Sequence, residues 1–358
     1  MTDPAARLAA DTLALIRIRS ESRHEEAIVD AIRLRLVSSP RLHLVDDGDA
    51  VLVALPDRRR DAPLIVLAGH LDTVPVGGAD DGSIDGDVVR GRGAADMKGG
   101  LAVMLALAEE GVRGADVDVG YLFFGREEVP IAESALIPAL ERVPALRDTA
   151  LAVILEPTDN TLEVGCNGNL QAVVRVRGRA AHSARPWHGE NAIHAAIAAL
   201  APIAEFPVRD VDVDGLVFRE VVSVTTISGG IASNVVPDLV EAHVNMRYAP
   251  NRDPADAEAW LAESLDHPAT EVEIVSNAPP GRVCLDNPLV VRLRASAGRD
   301  VRPKQAWTPV AEFGIAGIDA VNLGPGDPRY AHSDDEQVNA AALARTYDIV
   351  SAFLAEEA

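Results

Sequence analysis

The chain has 358 residues, of which 48% are hydrophobic and 25% charged, and its formal net charge is −22 with a pI near 4.7. This composition is ordinary for a folded globular protein and argues against disorder. The acidic balance disfavours nucleic acid and anionic membranes as partners, because both require a basic surface. The length corresponds to roughly two domains.

The sequence also bears on the compartment in which the chain works. It contains only two cysteines, Cys166 and Cys284, so no disulfide framework is predicted. It shows no apolar signal segment near the N-terminus and no apolar run that approaches membrane-spanning length. We therefore expect a soluble, cytoplasmic protein without a membrane or nucleic-acid partner.

The first half of the chain alternates between helical and strand-like segments. Apolar residues at helical spacing predict helices within residues 8–16 and 27–36, and short strands are predicted at 42–45 and 51–55. Near-continuous apolar runs predict buried strands at 64–68, 117–124 and 150–155. Helices are predicted directly after Asp96 and at 131–143. This alternation indicates an α/β domain with a mostly parallel sheet.

The pattern changes after Gly168. Half-buried strands are predicted at 173–177, 221–227 and 240–247, with helices near 191–204 and 254–265. Strands with one solvated face indicate an antiparallel sheet in an α+β domain. After about residue 280 the α/β pattern returns, with segments at 289–297 and 320–323 and a closing helix from Asn339. We predict an α/β domain formed by residues 1–168 and 281–358, interrupted by an inserted α+β domain at 169–280.

The most informative segment is GHLDTVP at residues 69–75, which directly follows a predicted buried strand. Parallel sheets place their chemistry just beyond the carboxyl ends of their strands. At such a position His70 could bind a metal through one ring nitrogen. Asp72 would then set the tautomer and orientation of the imidazole from outside the coordination shell. The simpler alternative is that both residues are structural.

Other predicted strand ends and loops carry similar side chains. They are Asp96, Glu127, Glu128, Glu156 and His332. Taken singly, Asp96 could be a helix N-cap and the others could be surface-loop residues. Adjacent carboxylates repel each other, however, so a pair at a strand end requires cations or full solvation. Together with His70, these residues predict a cluster of histidines and carboxylates at one edge of the sheet.

Two histidines and three carboxylates form the ligand set for a pair of divalent ions such as Zn²⁺. The predicted ligands are His70, Asp96, Glu128, Glu156 and His332. Asp96 would bridge the ions, with His70 and Glu156 on one ion and the remaining two residues on the other. Glu127 is then the candidate base, which takes a proton from water and returns it to the leaving amine.

These motifs resemble those of the dinuclear zinc aminoacylase and carboxypeptidase family of metallopeptidases. The resemblance runs nearly end to end and rests on HLDTVP, GRGAADMKG, the paired glutamates, EPT and the late Ala-His332. It implies two zinc ions at the five ligands, with cobalt or manganese as an alternative in one position. It implies the same roles for Glu127 and Asp72, and an inserted lid domain that forms a homodimer through a sheet edge.

The resemblance extends into the predicted lid. His182, in RAAHSARP at 179–186, would reach the site of the partner subunit and stabilise the oxyanion of the tetrahedral intermediate. Asn234 and Arg247 would bind the carboxylates of an N-acyl amino acid substrate, since a guanidinium pairs with a carboxylate through two hydrogen bonds. The alternatives are a loop histidine and a solvated arginine on the exposed face of a strand.

Within the family, the segments GREEV, EPTD, GCNG, AHSARPWHGEN and NLGPGDP most resemble the actinobacterial desuccinylases. Those enzymes hydrolyse N-succinyl-L,L-2,6-diaminopimelate to succinate and L,L-diaminopimelate. The chain departs from them at residues 307–309, where WTP replaces the usual Trp-Thr-Asp. Pro309 removes a carboxylate and a backbone donor beside Thr308, which we assign to the substrate pocket. Acetylornithine deacetylation and broader N-acyl-amino-acid hydrolysis therefore stay open.

Two interpretations from other classes are weaker. A non-enzymatic paralogue would be expected to have lost a ligand or the base, yet every one of these residues is present. A dinucleotide oxidoreductase would carry a glycine-rich fingerprint after a strand, and the sequence lacks one.

Overall fold

The computed structural model describes residues 3–39, 41–46, 48–59, 61–77, 81–112, 114, 116–298 and 300–356. The chain divides into two compact units. The first comprises Met1–Gly165, Cys284–Arg302 and Thr308–Ala358, and the second comprises Cys166–Val283 and Pro303–Trp307. Within the described residues, no helix has both the length and the apolarity that crossing a membrane requires.

The described residues contain both helices and strands throughout. The helices are α1 Pro4–Ile16, α2 Glu26–Val37, α3 Gly99–Glu109, α4 Leu136–Arg142, α5 Ala192–Ala204, α6 Pro254–Ser264, α7 Pro288–Ala297, α8 Val310–Ile315 and α9 Ala340–Ala355. The strands are β1 Leu42–Asp46, β2 Val51–Pro56, β3 Leu64–His70, β4 Ser83–Asp85, β5 Val88–Arg90, β6 Asp118–Phe124, β7 Thr149–Ile154, β8 Leu162–Cys166, β9 Gly168–Arg177, β10 Ala181–His182, β11 Arg209–Val213, β12 Leu216–Gly229, β13 Val235–Val236, β14 Leu239–Tyr248, β15 Thr270–Ala278, β16 Val301–Lys304, β17 Ala320–Asn322 and β18 Gln337–Asn339.

The largest sheet has eight strands in the order β1-β2-β6-β3-β7-β17-β8-β16. Its centre is parallel, since β3 pairs in parallel with β6 and β7, and β7 pairs in parallel with β17. Antiparallel pairs flank this centre on both sides. Every residue of β3 and β6 is buried, which explains their continuous apolar sequences. The predicted α/β fold with a mostly parallel sheet is confirmed, and the parallel strands are its central four.

Two predicted helices differ from those in the structure. The segment Ala94–Lys98 forms a wide irregular turn in which Asp96 has non-helical angles (φ −121°, ψ 93°), and α3 begins only at Gly99. The alternative that Asp96 is the N-cap of this helix is therefore wrong. The helix predicted at 131–143 is interrupted, because Ile131–Glu133 forms a short 3-10 turn, Ser134 has non-helical angles (φ −52°, ψ 136°) and α4 begins only at Leu136.

The second unit contains a five-stranded antiparallel sheet in the order β11-β12-β14-β9-β15. Buried and exposed side chains alternate along β14, as predicted, and the buried face packs against α5 and α6. The α+β character predicted for this part of the chain is confirmed. Sequence analysis missed β11 and β15, which lie at the two edges of the sheet and have few buried side chains. The assignment of residues 169–280 as a lid and dimerisation domain stays a prediction.

Candidate metal centre and active site

The parallel strands bring most of the predicted site residues to one edge of the sheet. His70 is the last residue of β3 and lies opposite Phe124, the last residue of β6. Glu127 and Glu128 follow the end of β6 by three and four residues, and Glu156 follows β7 by two residues. Because neighbouring parallel strands end on the same side, three chain segments deliver polar side chains to a common space.

His70 is fully buried and is oriented by its own chain segment. Its Nδ1 lies 3.0 Å from the backbone oxygen of Asp72 and 3.6 Å from the Asp72 carboxylate. Its Nε2 lies 2.9 Å from Asp96 Oδ1 and 3.7 Å from Glu156 Oε1. A proton on Nδ1 donates to the backbone carbonyl, so Nε2 faces the carboxylates. The closest partner of Nδ1 is therefore the backbone of Asp72 rather than the predicted carboxylate.

The carboxylate of Asp72 holds the loop that carries the paired glutamates. Its two oxygens accept the backbone N–H groups of Glu127 and Glu128, each at 3.1 Å, and Oδ2 also accepts the Ser22 hydroxyl at 2.7 Å. Burial alone would raise the pKa of Asp72. The nearby His70 ring and hydrogen bonds from Ser22 and the Glu127 amide together outweigh burial and hold that pKa below its usual range. Asp72 therefore orients two parts of the site at once.

His332 and Glu128 form the second half of the cluster. His332 Nε2 lies 2.8 Å from Glu128 Oε1 and 3.5 Å from Asp96 Oδ2, and the histidine adopts a left-handed backbone conformation with φ of 62°. Hydrogen bonds to Asp96 and Glu128 raise the pKa of His332 to about 10. Each carboxylate oxygen of Asp96 thus faces a different histidine, which is the geometry that a bridging ligand requires.

Glu127 lies among the other acidic groups, but it forms neither the His70–Asp96 contact nor the His332–Glu128 contact. Burial raises its pKa well above the usual range, the carboxylates of Glu128, Glu156 and Asp96 raise it further, and His70 opposes them. A carboxyl group with a raised pKa at such a position is a candidate both for accepting and for donating a proton.

The donor set fits a pair of divalent cations. Ligand atoms lie within 4.8 Å of one another in three groups: His70, Asp96 and Glu156; Asp96, Glu128 and His332; and His70, Glu127 and Glu128. The first two groups share Asp96 and offer only nitrogen and oxygen donors, which suit Zn²⁺ and similar ions. Four carboxylates against two imidazoles leave an excess of negative charge, and divalent cations would offset it.

Two of the remaining predicted residues, His182 and Asn234, lie on chain segments that contact each other within the second unit. His182 is exposed at the end of β10, and its Nδ1 accepts a hydrogen bond from the Ala184 amide at 3.0 Å. The neutral ring then carries its proton on Nε2, which is available as a donor. The following residue, Ser183, donates its amide to the backbone oxygen of Asn234 at 2.9 Å.

Arg247 lies on β14 and is half-buried. Its Nε donates to Asn245 Oδ1 at 3.1 Å, and Asn245 in turn donates to Asn169 Oδ1 at 2.8 Å. Burial lowers the pKa of Arg247, and a smaller effect from Cys166 opposes the shift. Arg247 is therefore not the fully solvated arginine that sequence analysis kept as an alternative.

Thr308 is buried and directly precedes the departure at Pro309. Pro309 occupies the N-cap of α8, and the Thr308 backbone oxygen accepts the Ala311 amide at 3.1 Å. A helix start does not use the backbone donor that proline lacks. Proline in place of aspartate at position 309 therefore costs this helix no hydrogen bond. The difference that matters is the missing carboxylate.

Sequence analysis missed two buried acids that contact the ligand-bearing loops. Glu25 Oε1 accepts the backbone amides of Arg23 at 2.9 Å and Arg126 at 3.1 Å, just before the paired glutamates. Glu336 Oε1 accepts the amides of Ala95 at 3.1 Å and Asp96 at 3.0 Å. Both acids lie in charged stretches, RHEE and SDDE, which from sequence alone look like solvated surface. Their burial becomes apparent only in the structure, where residues distant in the sequence pack around them.

Comparison with known proteins agrees with this geometry. The profile of "Peptidase family M20/M25/M40" matches residues 66–356. A Mycobacterium tuberculosis H37Rv protein, provisionally named succinyl-diaminopimelate desuccinylase DapE, is 38% identical over 96% of each chain. A Corynebacterium glutamicum protein named succinyl-diaminopimelate desuccinylase is 33% identical over 96% of this chain and 95% of its own.

Solved structures share the fold at lower identity. The aminopeptidase PepT of Bacillus cereus superposes with a TM-score of 0.78 at 20% identity, covering 98% of both chains. The metallo-carboxypeptidase Sso-CP2 of Sulfolobus solfataricus gives 0.75 at 18% identity over 97% of this chain and 98% of its own. The Bacillus subtilis YXEP protein, described as a dinuclear metal binding peptidase, gives 0.69 at 15% identity over 98% and 97%. The family resemblance predicted from the motifs is thereby confirmed, and the chain belongs to the peptidase family M20/M25/M40.

Proposed function

We propose that this chain is a dinuclear zinc amidohydrolase that cleaves N-succinyl-L,L-2,6-diaminopimelate to succinate and L,L-diaminopimelate. The observation that carries the proposal is the pair of ligand triads that share Asp96, with Glu127 placed beside them and outside both. Two relatives that align over nearly the whole chain are named for this reaction, which supports the choice of substrate. The proposed product, L,L-diaminopimelate, would place this chain in lysine and diaminopimelate biosynthesis.

The proposed ligands follow the two triads. His70 and Glu156 would hold one ion, Glu128 and His332 would hold the other, and Asp96 would bridge them. Zinc suits this mixture of imidazole and carboxylate donors, and cobalt or manganese is the alternative in one position. When bound, the ions would supply Lewis-acid chemistry to the amide carbonyl and lower the pKa of water.

The protein's own residues would then move the protons. Glu127 accepts a proton from the attacking water and delivers it to the departing amine nitrogen, and its raised pKa suits both steps. Asp72 fixes the position of Glu127 through the backbone amide of that residue. Burial of His70 and Asp72 keeps bulk water away from the first triad.

We further propose that the second unit is a lid that forms a homodimer. In the described residues, β11 pairs only with the first part of β12, and the last five residues of β12 are exposed along an open edge. Ile197 of α5 and Ile227 of β12 are 68% and 61% exposed on this face. An open apolar edge can pair with the same edge of a second copy, and the two copies are then related by two-fold symmetry.

In such a dimer, His182 of one copy would act in the active site of the other. The neutral ring presents Nε2–H as a donor, and a donor placed at a developing oxyanion contributes about 2.7–4 kcal/mol. Asn234 and Arg247 would bind the carboxylates of the substrate, and Thr308 would lie at the substrate pocket. We place the enzyme in the cytoplasm, a proposal that the two buried free thiols support.

A mixing experiment tests the shared site. We expect His182→Ala and Glu127→Gln chains each to be nearly inactive alone. Randomly formed hybrid dimers would contain one site with both groups intact, so about a quarter of the parent activity should return on mixing. Absence of any recovery, in samples shown to exchange subunits, would refute donation between subunits and leave the metal centre unaffected.

The substrate is tested by hydrolysis rates of the zinc-loaded protein. We expect kcat/KM for N-succinyl-L,L-2,6-diaminopimelate to exceed that for N-acetylornithine and simple N-acyl amino acids by at least about a hundredfold, since groups built to pair with the succinyl carboxylate would be left unpaired. A comparable or higher rate with N-acetylornithine would move the chain to a different amidohydrolase role in the same family.

A further inference from the structure

Arg92 and Glu336 form a buried ion pair between two ligand-bearing loops. Arg92 Nη1 lies 2.9 Å from Glu336 Oε2, and the two side chains are 13% and 2% exposed. The other carboxylate oxygen, Oε1, accepts the backbone amides of Ala95 and Asp96 at 3.1 and 3.0 Å. The charge of Glu336 is therefore fully engaged, on one side by a guanidinium and on the other by the backbone of a predicted ligand.

The same arginine reaches the second loop. Arg92 Nη1 also donates to the backbone oxygen of Ser333 at 3.1 Å, one residue after His332. The backbone oxygen of Glu336 accepts the Gly91 amide at 3.0 Å, and the next residue pairs with Arg90 in the β18–β5 ladder. One ion pair thus connects the backbone that carries Asp96 with the backbone that carries His332.

We propose that the Arg92–Glu336 pair is a positioning element that sets the separation of Asp96 and His332 and thereby the affinity of the ion held by Asp96, Glu128 and His332. The proposal rests on the metal-binding role given above. The hydrogen bonds that the two side chains make to these loops involve backbone atoms, so the pair acts on the ligands through the backbone. Outer partners of metal ligands commonly change metal affinity by about 10–100-fold when they are replaced.

The structure explains why this ion should be affected more than the other. The contacts of the pair fall on the Asp96 and His332 loops, whereas His70 is the last residue of β3 and Glu156 follows β7 by two residues. His332 also lies in the left-handed region, so its loop has a conformation that side chains other than glycine rarely adopt unaided. Loss of the pair would remove a side-chain contact from the loop of His332, a ligand that the proposed arrangement gives to only one of the two ions.

The test is a titration of Zn²⁺ into metal-free protein in competition with a chromophoric chelator. For Glu336→Gln we expect the affinity of one of the two ions to fall by about 10–100-fold and that of the other to change by less than about threefold. The loss of turnover should be reversed by added Zn²⁺. Glu336→Gln keeps an acceptor for the two amides but leaves the Arg92 guanidinium without its counter-charge.

A matched pair in the second unit provides the control. Glu220 is buried, accepts the Ala249 amide at 3.2 Å and forms two hydrogen bonds with Arg252, each at 2.8 Å. Glu220→Gln therefore breaks a comparable ion pair that touches no predicted ligand. We expect this variant to lose stability and to bind both ions with parent affinity. A merely structural role for Glu336 would give the same result as this control.

Arg92→Met gives a second, independent measurement should Glu336→Gln not fold. It removes the donor to Ser333 and leaves Glu336 bonded to the two amides, so the affinity for the same ion should fall. Parent affinity for both ions in a folded Glu336→Gln or Arg92→Met variant would overturn the inference. Failure of the parent protein itself to bind two ions would instead overturn the proposed function.

Discussion

Glu312 in α8 is a buried acid whose protonation state should determine how stability depends on pH. Its side chain is 0% exposed, and the polar group that acts on its carboxyl is the Ser134 hydroxyl. The elements in main contact with α8 offer no nearby counter-charge, because β7 and β17 contain no ionisable residue and the charged side chains of α4 are exposed. Burial raises the pKa of Glu312 to about 7, and Ser134 offsets only part of this effect.

The sign of the effect follows from this shift. The folded chain holds the proton more tightly than the unfolded chain, so the stability from Glu312 is complete below about pH 4.5 and is lost as the pH rises through about 7. The full loss is about 3 kcal/mol, at about 1.36 kcal/mol for each pKa unit. Between about pH 5 and about pH 8 the same relation gives a loss of stability of about 2.5 kcal/mol.

The variant Glu312→Gln tests this value because its amide keeps the shape and carries no charge. We expect its free energy of unfolding, relative to the parent, to rise by about 2.5 kcal/mol from pH 5 to pH 8. Urea unfolding of both proteins at the two pH values measures the change, and other titrating groups cancel in the comparison. Glu141→Gln on α4 is the control, since that carboxylate is exposed. A difference that stays constant within about 0.5 kcal/mol would refute the reasoning.

Three further predictions concern the site and the dimer. Asp72→Asn cannot accept both glutamate amides, so turnover should fall about 10–100-fold with the fold retained; parent turnover would contradict the positioning of Glu127. Arg247→Lys should raise KM about tenfold with little change in kcat, because lysine lacks the planar guanidinium fork. The control Arg175→Lys, in a surface ion pair, should leave KM unchanged. Ile227→Glu should give monomers by light scattering and lower activity, and an unchanged dimer would exclude this edge as the interface.

The central strands, and the edge at which the proposed ligands lie, were predictable because both depend on local sequence. The apolar runs that became β3, β6 and β7 are buried on both faces, and that environment selects continuous hydrophobic residues. Once these strands are taken as parallel, the residues after them must meet at one edge. The amino-acid sequence alone is therefore sufficient to group His70, Glu128 and Glu156.

The supporting contacts could not be predicted in the same way. Glu336 and the Asp96 amide are 240 residues apart in the chain, and no local pattern links them. Short polar strands such as β4 and β18 carry too few side chains for a periodic signal. The helical pattern that follows Asp96 predicts a helix start there, whereas the structure has the irregular turn Ala94–Lys98, two of whose amides bond to the distant Glu336.

The metal content and turnover of Glu127→Gln test the central claim most directly. Glu127 lies outside both triads that share Asp96, so the variant should retain about two equivalents of Zn²⁺ and lose turnover by about 10²–10⁴-fold, the usual contribution of a general base. Retention of more than a few per cent of the parent turnover with both ions bound would contradict the account, because another group would then have to move the proton.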